Sequence, residues 1–297
     1  MHDRDDFHGR LGELLRAVRG GDLRVLDSRP VGGGCIHDAR VIETTAHERL
    51  FVKQGPATQA DVFAAEADGL EALARSGAVR IPRVVARETW DDVAVLVLEY
   101  LAIGSGGDPA QLGEALATLH ASQGDAFGWH RDNYIGPTPQ TNVRTASWCR
   151  FWEEQRLAPL AERLAAAGEK RTADAVQRLL PELPVLLADH HPAPSLLHGD
   201  LWAGNAGYTS SGEPVLFDPA VYHGDREADI AMTELFGGFP QRFHDAYTAV
   251  NPLSDGYRVR RELYNLYHVL NHALLFGGGY GSRARDMVAG LLAETGR

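Results

Sequence analysis

Three side chains that could handle a metal ion and a proton lie close together in the chain. Asp200 follows an apolar run, Asn205 comes five residues later, and Asp218 ends a short strand pattern. Transfer of a phosphoryl group from Mg·ATP to an alcohol requires such a set. One carboxylate must orient and deprotonate the hydroxyl, while an amide oxygen and a second carboxylate hold Mg²⁺. The pattern predicts Asp200 as the base and Asn205 and Asp218 as ligands of Mg²⁺.

The same segment matches the catalytic loop of protein kinases, H-R-D-L-x-x-x-N, with one change. His198, Asp200 and Asn205 fall at the positions of the motif, and Gly199 replaces its arginine. In protein kinases that arginine commonly receives a phosphorylated activation loop, so this form of control is not expected here. Asp, Gly and Asn also dominate ordinary turns, but the complete set with its strand context favours the kinase interpretation.

A kinase also needs a lysine on the third strand, paired with a glutamate on the following helix. Lys53 ends the third strand pattern, and Glu66 shares one helix face with Val62 and Leu70. A carboxylate within an apolar stripe is costly unless it is paired. Taken alone, an exposed lysine and a marginal glutamate are equally consistent with the pattern. The downstream catalytic loop favours an ion pair between Lys53 and Glu66.

Two further segments are candidates for contacts with ATP. Gly32-Gly33-Gly34, between the first two strand patterns, can bring backbone N–H groups against phosphates, although such a run in a hairpin is more often only a turn. The strong strand pattern Val93–Glu99 leads into Tyr100 and Leu101. It resembles the strand before the kinase hinge, and the backbone of Glu99 and Leu101 is expected to bind adenine.

Strands and helices must position these candidate residues. The spacing of the apolar residues predicts a strand-rich first third of the chain and a helix-rich remainder. The Gly- and Pro-containing stretch 103–109 separates the two parts. The predicted fold class is α+β, with a small antiparallel-sheet lobe over residues 1–101 and a mainly helical lobe over residues 102–297. Strands are expected near 24–29, 39–44, 49–53, 84–88, 93–99 and 215–217, helices at 11–20, 59–74, 110–121, 147–167, 173–189, 228–236, 258–276 and 283–295, and a long surface loop at 124–146.

Composition narrows the class of protein. A net charge of −11 without a Lys/Arg cluster argues against a nucleic-acid binder or a binder of anionic membranes. Two cysteines, Cys35 and Cys149, are too few for a disulfide framework and fit a reducing cytosol. The N-terminus lacks the apolar region of a signal peptide, and no apolar run has the length of a membrane span. A cytoplasmic protein is the expectation.

Further motifs extend over nearly the whole chain. They include Gly32–Ile36, Phe51–Lys53, Phe63–Ala67, Leu96–Tyr100, Asp132–Gln140, His198–Asn205, Phe217–Ala220, Arg226–Asp229, Phe236–Pro240, Leu266–His272 and Phe276–Gly278. With these motifs the chain resembles the fructosamine-3-kinase (ketosamine-3-kinase) family. That family lies within the protein-kinase-like superfold, together with aminoglycoside phosphotransferases and choline kinases.

The resemblance implies ATP-dependent phosphorylation of the 3-hydroxyl of a ketosamine, the sugar adduct that glycation leaves on an amine. The phosphorylated adduct is unstable and sheds its sugar, so the family acts in deglycation. Bacterial-looking members are associated with ribulosamines and erythrulosamines more than with fructosamines. The expected partners are therefore ATP, Mg²⁺ and a small or protein-linked ketosamine, in a monomer or a homodimer.

The resemblance also implies roles for individual residues. Asp200 is the base, Asn205 and Asp218 bind Mg²⁺, and Lys53 with Glu66 positions ATP. Asp229 matches the aspartate that braces the catalytic loop from a later helix. Trp202 can stack on the substrate, although a packed core tryptophan fits its position nearly as well. His268 and His272 are assigned to the substrate side, and the thiol equivalent to that of Cys35 permits redox-linked dimerisation in some members of the family.

Two other functions compete with this one. The first is an aminoglycoside or other small-molecule phosphotransferase of the same superfold, against which the family-specific stretches at 132–140 and 264–278 argue. The second is a nucleotide-binding regulator like a pseudokinase. It predicts the loss of at least one catalytic group, yet all five expected groups are present in the sequence.

Overall fold

The strand patterns of the first hundred residues form one antiparallel sheet. The computed structural model describes residues 2–31, 38–104 and 106–296, and of residues 2–6 the backbone alone. The strands are β1 (Val25–Pro30), β2 (Asp38–Thr44), β3 (Arg49–Pro56), β4 (Val84–Trp90) and β5 (Val93–Glu99). Within the described ranges the sheet has five strands in the order β1-β2-β3-β5-β4. Lys53 of β3 lies opposite Leu96 of β5, near the middle of this sheet.

Two helices cover the two faces of the sheet. Leu11 of α1 (His2–Arg19) belongs to the same hydrophobic cluster as Val97, whereas Leu70 of α2 (Ala60–Arg75) belongs to the cluster of Leu96. Successive side chains of a strand point to opposite faces, so β5 is buried on both sides. This explains why its sequence is apolar throughout instead of alternating.

The rest of the described chain is mainly helical. α3 packs on α9, and α10 packs on α8 and α11. Trp148 and Trp152 both pack edge-to-face against Tyr264 within the core of this part. No described helix is both long and apolar enough to cross a membrane. The helices are α3 (Pro109–His120), α4 (Trp148–Trp152), α5 (Ala158–Ala166), α6 (Lys170–Leu179), α7 (Leu183–Leu186), α8 (Glu227–Leu235), α9 (Gln241–Val250), α10 (Tyr257–Phe276) and α11 (Tyr280–Glu294).

Short strands join the two parts and carry the site. β6 pairs with β10, which pairs with β11, and β9 pairs with β12. The hydrophobic cluster of Leu70 continues into the helical part through Leu116 and Leu196. The α+β architecture is thus confirmed, while the boundary at residue 101 stays a prediction. These strands are β6 (Ile103–Gly104), β7 (Asn133–Ile135), β8 (Thr138–Gln140), β9 (Ser195–Leu197), β10 (Ala206–Thr209), β11 (Pro214–Leu216) and β12 (Tyr222–Gly224).

The prediction of a long surface loop at 124–146 was wrong. This segment contains the β7–β8 hairpin, and the side chains of Asn133, Gln140 and Asn142 are buried. Strands of three residues are too short to show a period, which is why the sequence pattern missed them.

Two predicted helices are interrupted, and one helix was missed. A π-helical turn, Glu153–Leu157, divides the segment 147–167. The segment 173–189 breaks near Pro181 and Pro184, because proline lacks the N–H that a helix interior needs. α9 escaped the pattern because only Phe243 and Tyr247 anchor it in the core.

Candidate active site

The catalytic loop is held by one buried carboxylate. His198 and Gly199 directly follow β9, and their backbone N–H groups donate to the two carboxylate oxygens of Asp229 at 2.7 and 2.9 Å. His120 Nε2 lies 3.2 Å from the same carboxylate. Burial opposes ionisation, but these hydrogen bonds and nearby histidines lower the pKa of Asp229 below its ordinary value. The predicted brace from the later helix, α8, is confirmed.

His198 links the catalytic loop to the segment that carries Asp218. Its Nε2 lies 2.9 Å from the carbonyl oxygen of Phe217, and its Nδ1 lies 3.3 Å from the backbone N–H of Asp200. A carbonyl can only accept, so Nε2 carries the proton and Nδ1 accepts. Burial lowers the pKa of His198, which favours this neutral form. From the sequence, His198 had no predicted role beyond its place in the motif, although that place directly before Gly199-Asp200 was the signal.

The glycine at position 199 is a steric requirement. Its φ is +82°, and a Cβ there would lie 2.0 Å from the carbonyl oxygen of Ala220. The backbone N–H of Ala220 in turn donates to the carbonyl of His198 at 2.8 Å. The arginine of protein kinases cannot occupy this position unless the chain after Asp218 moves away.

The three predicted oxygen donors converge on one another. The amide nitrogen of Asn205 donates to the backbone carbonyl of Asp200 at 2.9 Å, to its carboxylate at 3.2 Å and to the carbonyl of Asp218 at 3.3 Å. With its nitrogen committed in this way, Asn205 turns Oδ1 to the other side. Asp218 has a φ of +55°, an uncommon backbone conformation for a residue other than glycine.

Lys53 bridges the sheet lobe and the helical lobe. Its ammonium nitrogen lies 2.7 Å from Glu66 Oε1 and 2.6 Å from Asp218 Oδ1. Burial disfavours the ammonium form, but the two carboxylates outweigh it and raise the pKa of Lys53. The predicted ion pair between Lys53 and Glu66 is confirmed, and its extension to Asp218 was not foreseen.

Asp200 is an unusually weak acid in this setting. Burial, and after it the negative charge of Asp218, raise the pKa of Asp200 to about 7, against the opposing hydrogen bond from Asn205. A carboxylate with a pKa near the working pH is well matched to taking a proton from a hydroxyl.

Comparisons with known proteins decide the family. A family model described as fructosamine kinase matches residues 10–294. The chain belongs to the fructosamine kinase family. It is 43% identical over 282 residues to a Synechocystis protein assigned as a ketoamine kinase, covering 94% of both chains. It is 38% identical over 265 residues to the chloroplastic protein-ribulosamine 3-kinase of Oryza sativa subsp. japonica, covering 87% of this chain and 76% of the rice protein.

Solved structures agree with this assignment. A Haemophilus somnus protein assigned as a fructosamine-3-kinase superposes with a TM-score of 0.87 at 28% identity, covering 95% of this chain and 96% of that chain. LicA, solved in complex with AMP, superposes with a TM-score of 0.62 at 16% identity, and the match covers 97% of this chain and 99% of that chain. The second likeness shows the fold alone. The kinase-like two-lobed fold is confirmed, and the protein is a phosphotransferase of the fructosamine kinase family.

The nucleotide side of this family member is described only in part. Gly32-Gly33-Gly34 and Cys35 lie outside the described residues. The backbone N–H of Glu99 donates to the carbonyl of Arg83 at 2.8 Å, and its side chain bonds to Arg80. The N–H of Glu99 is therefore already used within the fold, and the binding of adenine by Glu99 and Leu101 stays a prediction. Arg49 lies 4.6 Å from the centre of the Tyr100 ring, and Leu101 continues toward β6.

Trp202 is not a core tryptophan. Its side chain is 41% exposed, and its ring lies over Gly204, where a Cβ would come within 2.2 Å. The two histidines of α10 differ from each other. His268 is buried, which lowers its pKa to about 3, and its Nδ1 has no hydrogen-bond partner among the described residues. His272 Nδ1 donates to the carbonyl of His268 at 2.8 Å, which leaves Nε2 as an acceptor.

Aromatic rings surround His272 on three sides. Phe236, Phe276 and Tyr280 have ring centroids 4.9, 5.4 and 5.2 Å from the imidazole.

In the described chain, one group of side chains has the spacing of metal ligands, namely His190, Asp225 and Glu227. Arg260 already binds Glu227 through two nitrogens, and Tyr264 donates to Asp225. This group is therefore a satisfied ion-pair network.

The first prediction concerns Gly199. Gly199→Ala should lower kcat by about 10²-fold, because relief of the contact with Ala220 shifts the reacting groups by a fraction of an ångström or more. ADP release measures the effect. Gly212→Ala is the matched control, since Gly212 has a φ of +84° but its Cβ would meet no atom closer than 3.8 Å. Equal losses in the two variants would assign the effect to backbone strain alone.

The second prediction follows from the raised pKa of Asp200. The folded chain holds this proton up to about pH 7, whereas the unfolded chain releases it near the ordinary pKa of the carboxyl group, 3.8. Unfolding therefore releases a proton between these values, and Asp200 lowers stability as the pH rises. Asp200→Asn should raise the free energy of unfolding more at about pH 8 than at about pH 4.

Urea unfolding at both pH values measures this difference. Asp174→Asn is the control, because Asp174 is exposed on α6. A gain for Asp200→Asn that is the same at both pH values would contradict the assignment of the raised pKa.

Proposed function

We propose that the protein transfers the γ-phosphoryl group of ATP to the 3-hydroxyl of a ketosamine, with ribulosamines as the preferred class. The observation that carries the proposal is the convergence of Lys53, Asp200, Asn205 and Asp218 through direct hydrogen bonds. Family membership supplies the acceptor, and the rice relative is named a protein-ribulosamine 3-kinase. In this proposal the protein acts in the deglycation of amines, in the cytoplasm.

The donor set fits a hard divalent cation. Asn205 is oriented with its nitrogen toward Asp200, so its oxygen is the atom that remains for a metal. Asp218 uses one carboxylate oxygen for Lys53, and its side chain is 46% exposed. Oxygen donors of this kind suit Mg²⁺, which keeps part of its water shell. Asn205 and Asp218 would hold Mg²⁺, which when bound neutralises charge on the phosphates.

Asp200 acts as the base in this proposal. As the 3-hydroxyl oxygen forms its bond to the γ-phosphorus, the bond from that phosphorus to the β–γ bridging oxygen breaks and ADP leaves. The hydroxyl proton passes to the Asp200 carboxylate. The hydrogen bond from Asn205 to the carboxylate, and the one from the backbone N–H of Asp200 to the His198 ring, hold Asp200 in place before substrate arrives, so little reorganisation is needed.

Lys53 is the residue proposed to position ATP. Glu66 of α2 binds the ammonium group of Lys53, and Asp218 binds it as well, so two carboxylates compensate its charge. The carbonyl of Glu99 and the backbone of Leu101 are proposed to bind adenine beside Tyr100, and Gly32-Gly33-Gly34 to cover the phosphates. All five groups whose loss would mark a pseudokinase are retained, which supports a working enzyme.

The acceptor side is proposed to lie between Trp202 and α10. The exposed ring of Trp202 offers a surface for stacking against the sugar chain. The acceptor nitrogen of His272 can take a hydrogen bond from a substrate hydroxyl, and the rings around it suit the apolar part of an amine carrier. His268, buried beneath, supports the position of His272 through its carbonyl group.

The third prediction tests the acceptor and the base together. ATP consumption with Mg²⁺ is measured with ribulose-lysine, fructose-lysine and kanamycin as acceptors. Turnover should be fastest with ribulose-lysine, and Asp200→Asn should reduce it by about 10²–10⁴-fold, the usual contribution of a general base. ATP binding should persist in this variant, because Asn can keep the contact with Asn205.

The exposed substitution Asp174→Asn serves as the matched control. Turnover of kanamycin without turnover of any ketosamine would keep the site but assign the protein to drug or metabolite phosphorylation. Full activity of Asp200→Asn would show that another group takes the proton.

A further inference from the structure

A fully buried arginine lies behind the segment that follows Asp218. Arg156 has 0% exposure and sits in the π-helical turn between α4 and α5. Its guanidinium stacks on Tyr222 and Phe151 at 4.1 and 4.6 Å. Within the described part of the chain no carboxylate binds it. A buried charge that is not paired is costly, and π-helical turns are frequent at functional sites.

The hydrogen-bond partners of Arg156 are carbonyl and amide oxygens. It donates to the backbone carbonyl of Thr141 at 2.7 Å and to Oδ1 of Asn142 at 2.8 Å. Arginine has no acceptor, so this contact fixes which end of the Asn142 amide faces it. The nitrogen of Asn142 must point away, and it donates to Oδ1 of Asn133 at 2.8 Å.

The orientation passes from Asn142 to two further buried amides. Because Oδ1 of Asn133 accepts, its nitrogen is free to donate, and it does so to the carbonyl of Val221 at 2.7 Å. Gln140 also donates to Asn133 Oδ1 at 2.8 Å, and to the carbonyl of Ala220 at 3.3 Å. We call Asn142, Asn133 and Gln140 the amide relay.

The amide relay ends on the backbone that directly follows Asp218. Ala220 and Val221 are two and three residues beyond Asp218, whose own backbone lies in the left-handed region. The other end of Gln140 accepts from Tyr267 of α10 at 2.8 Å. One chain of donors therefore connects Arg156 to the segment after Asp218 and to the helix that carries His268 and His272.

We propose that Arg156 and the amide relay are positioning residues for Asp218. By setting the direction of every amide, Arg156 holds the carbonyls of Ala220 and Val221, and through them the strained backbone that presents the carboxylate of Asp218 to the metal. The proposal rests on the proposed function only in taking Asp218 as a metal ligand. It gives the β7–β8 hairpin, which the sequence predicted to be a surface loop, a part in catalysis.

A substitution that reverses one amide of the relay should weaken the proposed metal site. Asn142→Asp keeps the size of the side chain and the acceptor for Arg156, but it places an oxygen where the nitrogen faced Asn133. Asn133 must then turn its own nitrogen toward the new carboxylate and release Val221. Mn²⁺ should bind the enzyme–ADP complex about tenfold more weakly, the equivalent of about one net hydrogen bond. The free Mn²⁺ signal in electron paramagnetic resonance measures this affinity.

If the relay had only a structural role, Asn142→Asp would lower the unfolding temperature. We expect instead that the new carboxylate pairs with Arg156, so that the unfolding temperature equals or exceeds that of the parent protein. Asn251→Asp is the matched control, because Asn251 donates its amide to the carbonyl of Ala117 away from the relay. Wild-type Mn²⁺ affinity in a folded Asn142→Asp variant, or an equal loss in Asn251→Asp, overturns the proposal.

A second variant protects the test against misfolding. Gln140→Glu keeps the acceptor for Tyr267 and removes the donors to Asn133 and Ala220, so it should weaken Mn²⁺ binding in the same way. Unchanged Mn²⁺ affinity in this variant also overturns the proposal. Mn²⁺ binding to the ADP complex needs no acceptor, so it tests the relay even if ribulose-lysine is not phosphorylated. In that case the turnover assay, and not the binding assay, would refute the proposed function.

Discussion

The buried carboxylate of Asp229 is the contact on which the geometry of the active site depends. The backbone N–H groups of His198 and Gly199 both donate to it, and this fixes the chain between the end of β9 and Asp200. An unpaired buried carboxylate would be unstable, so the fold must supply these donors. The same interaction therefore stabilises α8 against β9 and sets the direction in which Asp200 leaves the strand.

A second buried charge joins the two lobes. Lys53 belongs to the sheet, Glu66 to α2, and Asp218 to the helical part of the chain. Removing one partner would leave charge buried without compensation, which is far more costly than the net value of the pair. This contact holds Asp218 beside Lys53 of the sheet. If Lys53 positions ATP as proposed, it divides its donors between the phosphates and the two carboxylates, so nucleotide and metal binding are coupled at this point.

The sequence predicted which polar side chains meet in the candidate site better than it predicted the local structure around them. Asp200, Asn205, Lys53 and Glu66 could be found because their types and spacing follow from what phosphoryl transfer requires. The hairpin at 133–140 could not, since strands of three residues carry no measurable period and their buried amides look like loop residues. The steric requirement for glycine at position 199 could not be predicted either, because a side chain there would clash with Ala220 only once β9 and the segment after Asp218 have come together.

The exposure of Trp202 gives the protein an optical reporter of its own site. All five tryptophans lie in the described chain, and Trp148 and Trp152 are fully packed while Trp90 and Trp129 are partly covered. Trp202, two residues from Asp200, is the most exposed of the five at 41%. Its emission is therefore the most red-shifted and the most accessible to quenchers, so a molecule that settles over the catalytic loop changes the intrinsic fluorescence without any label.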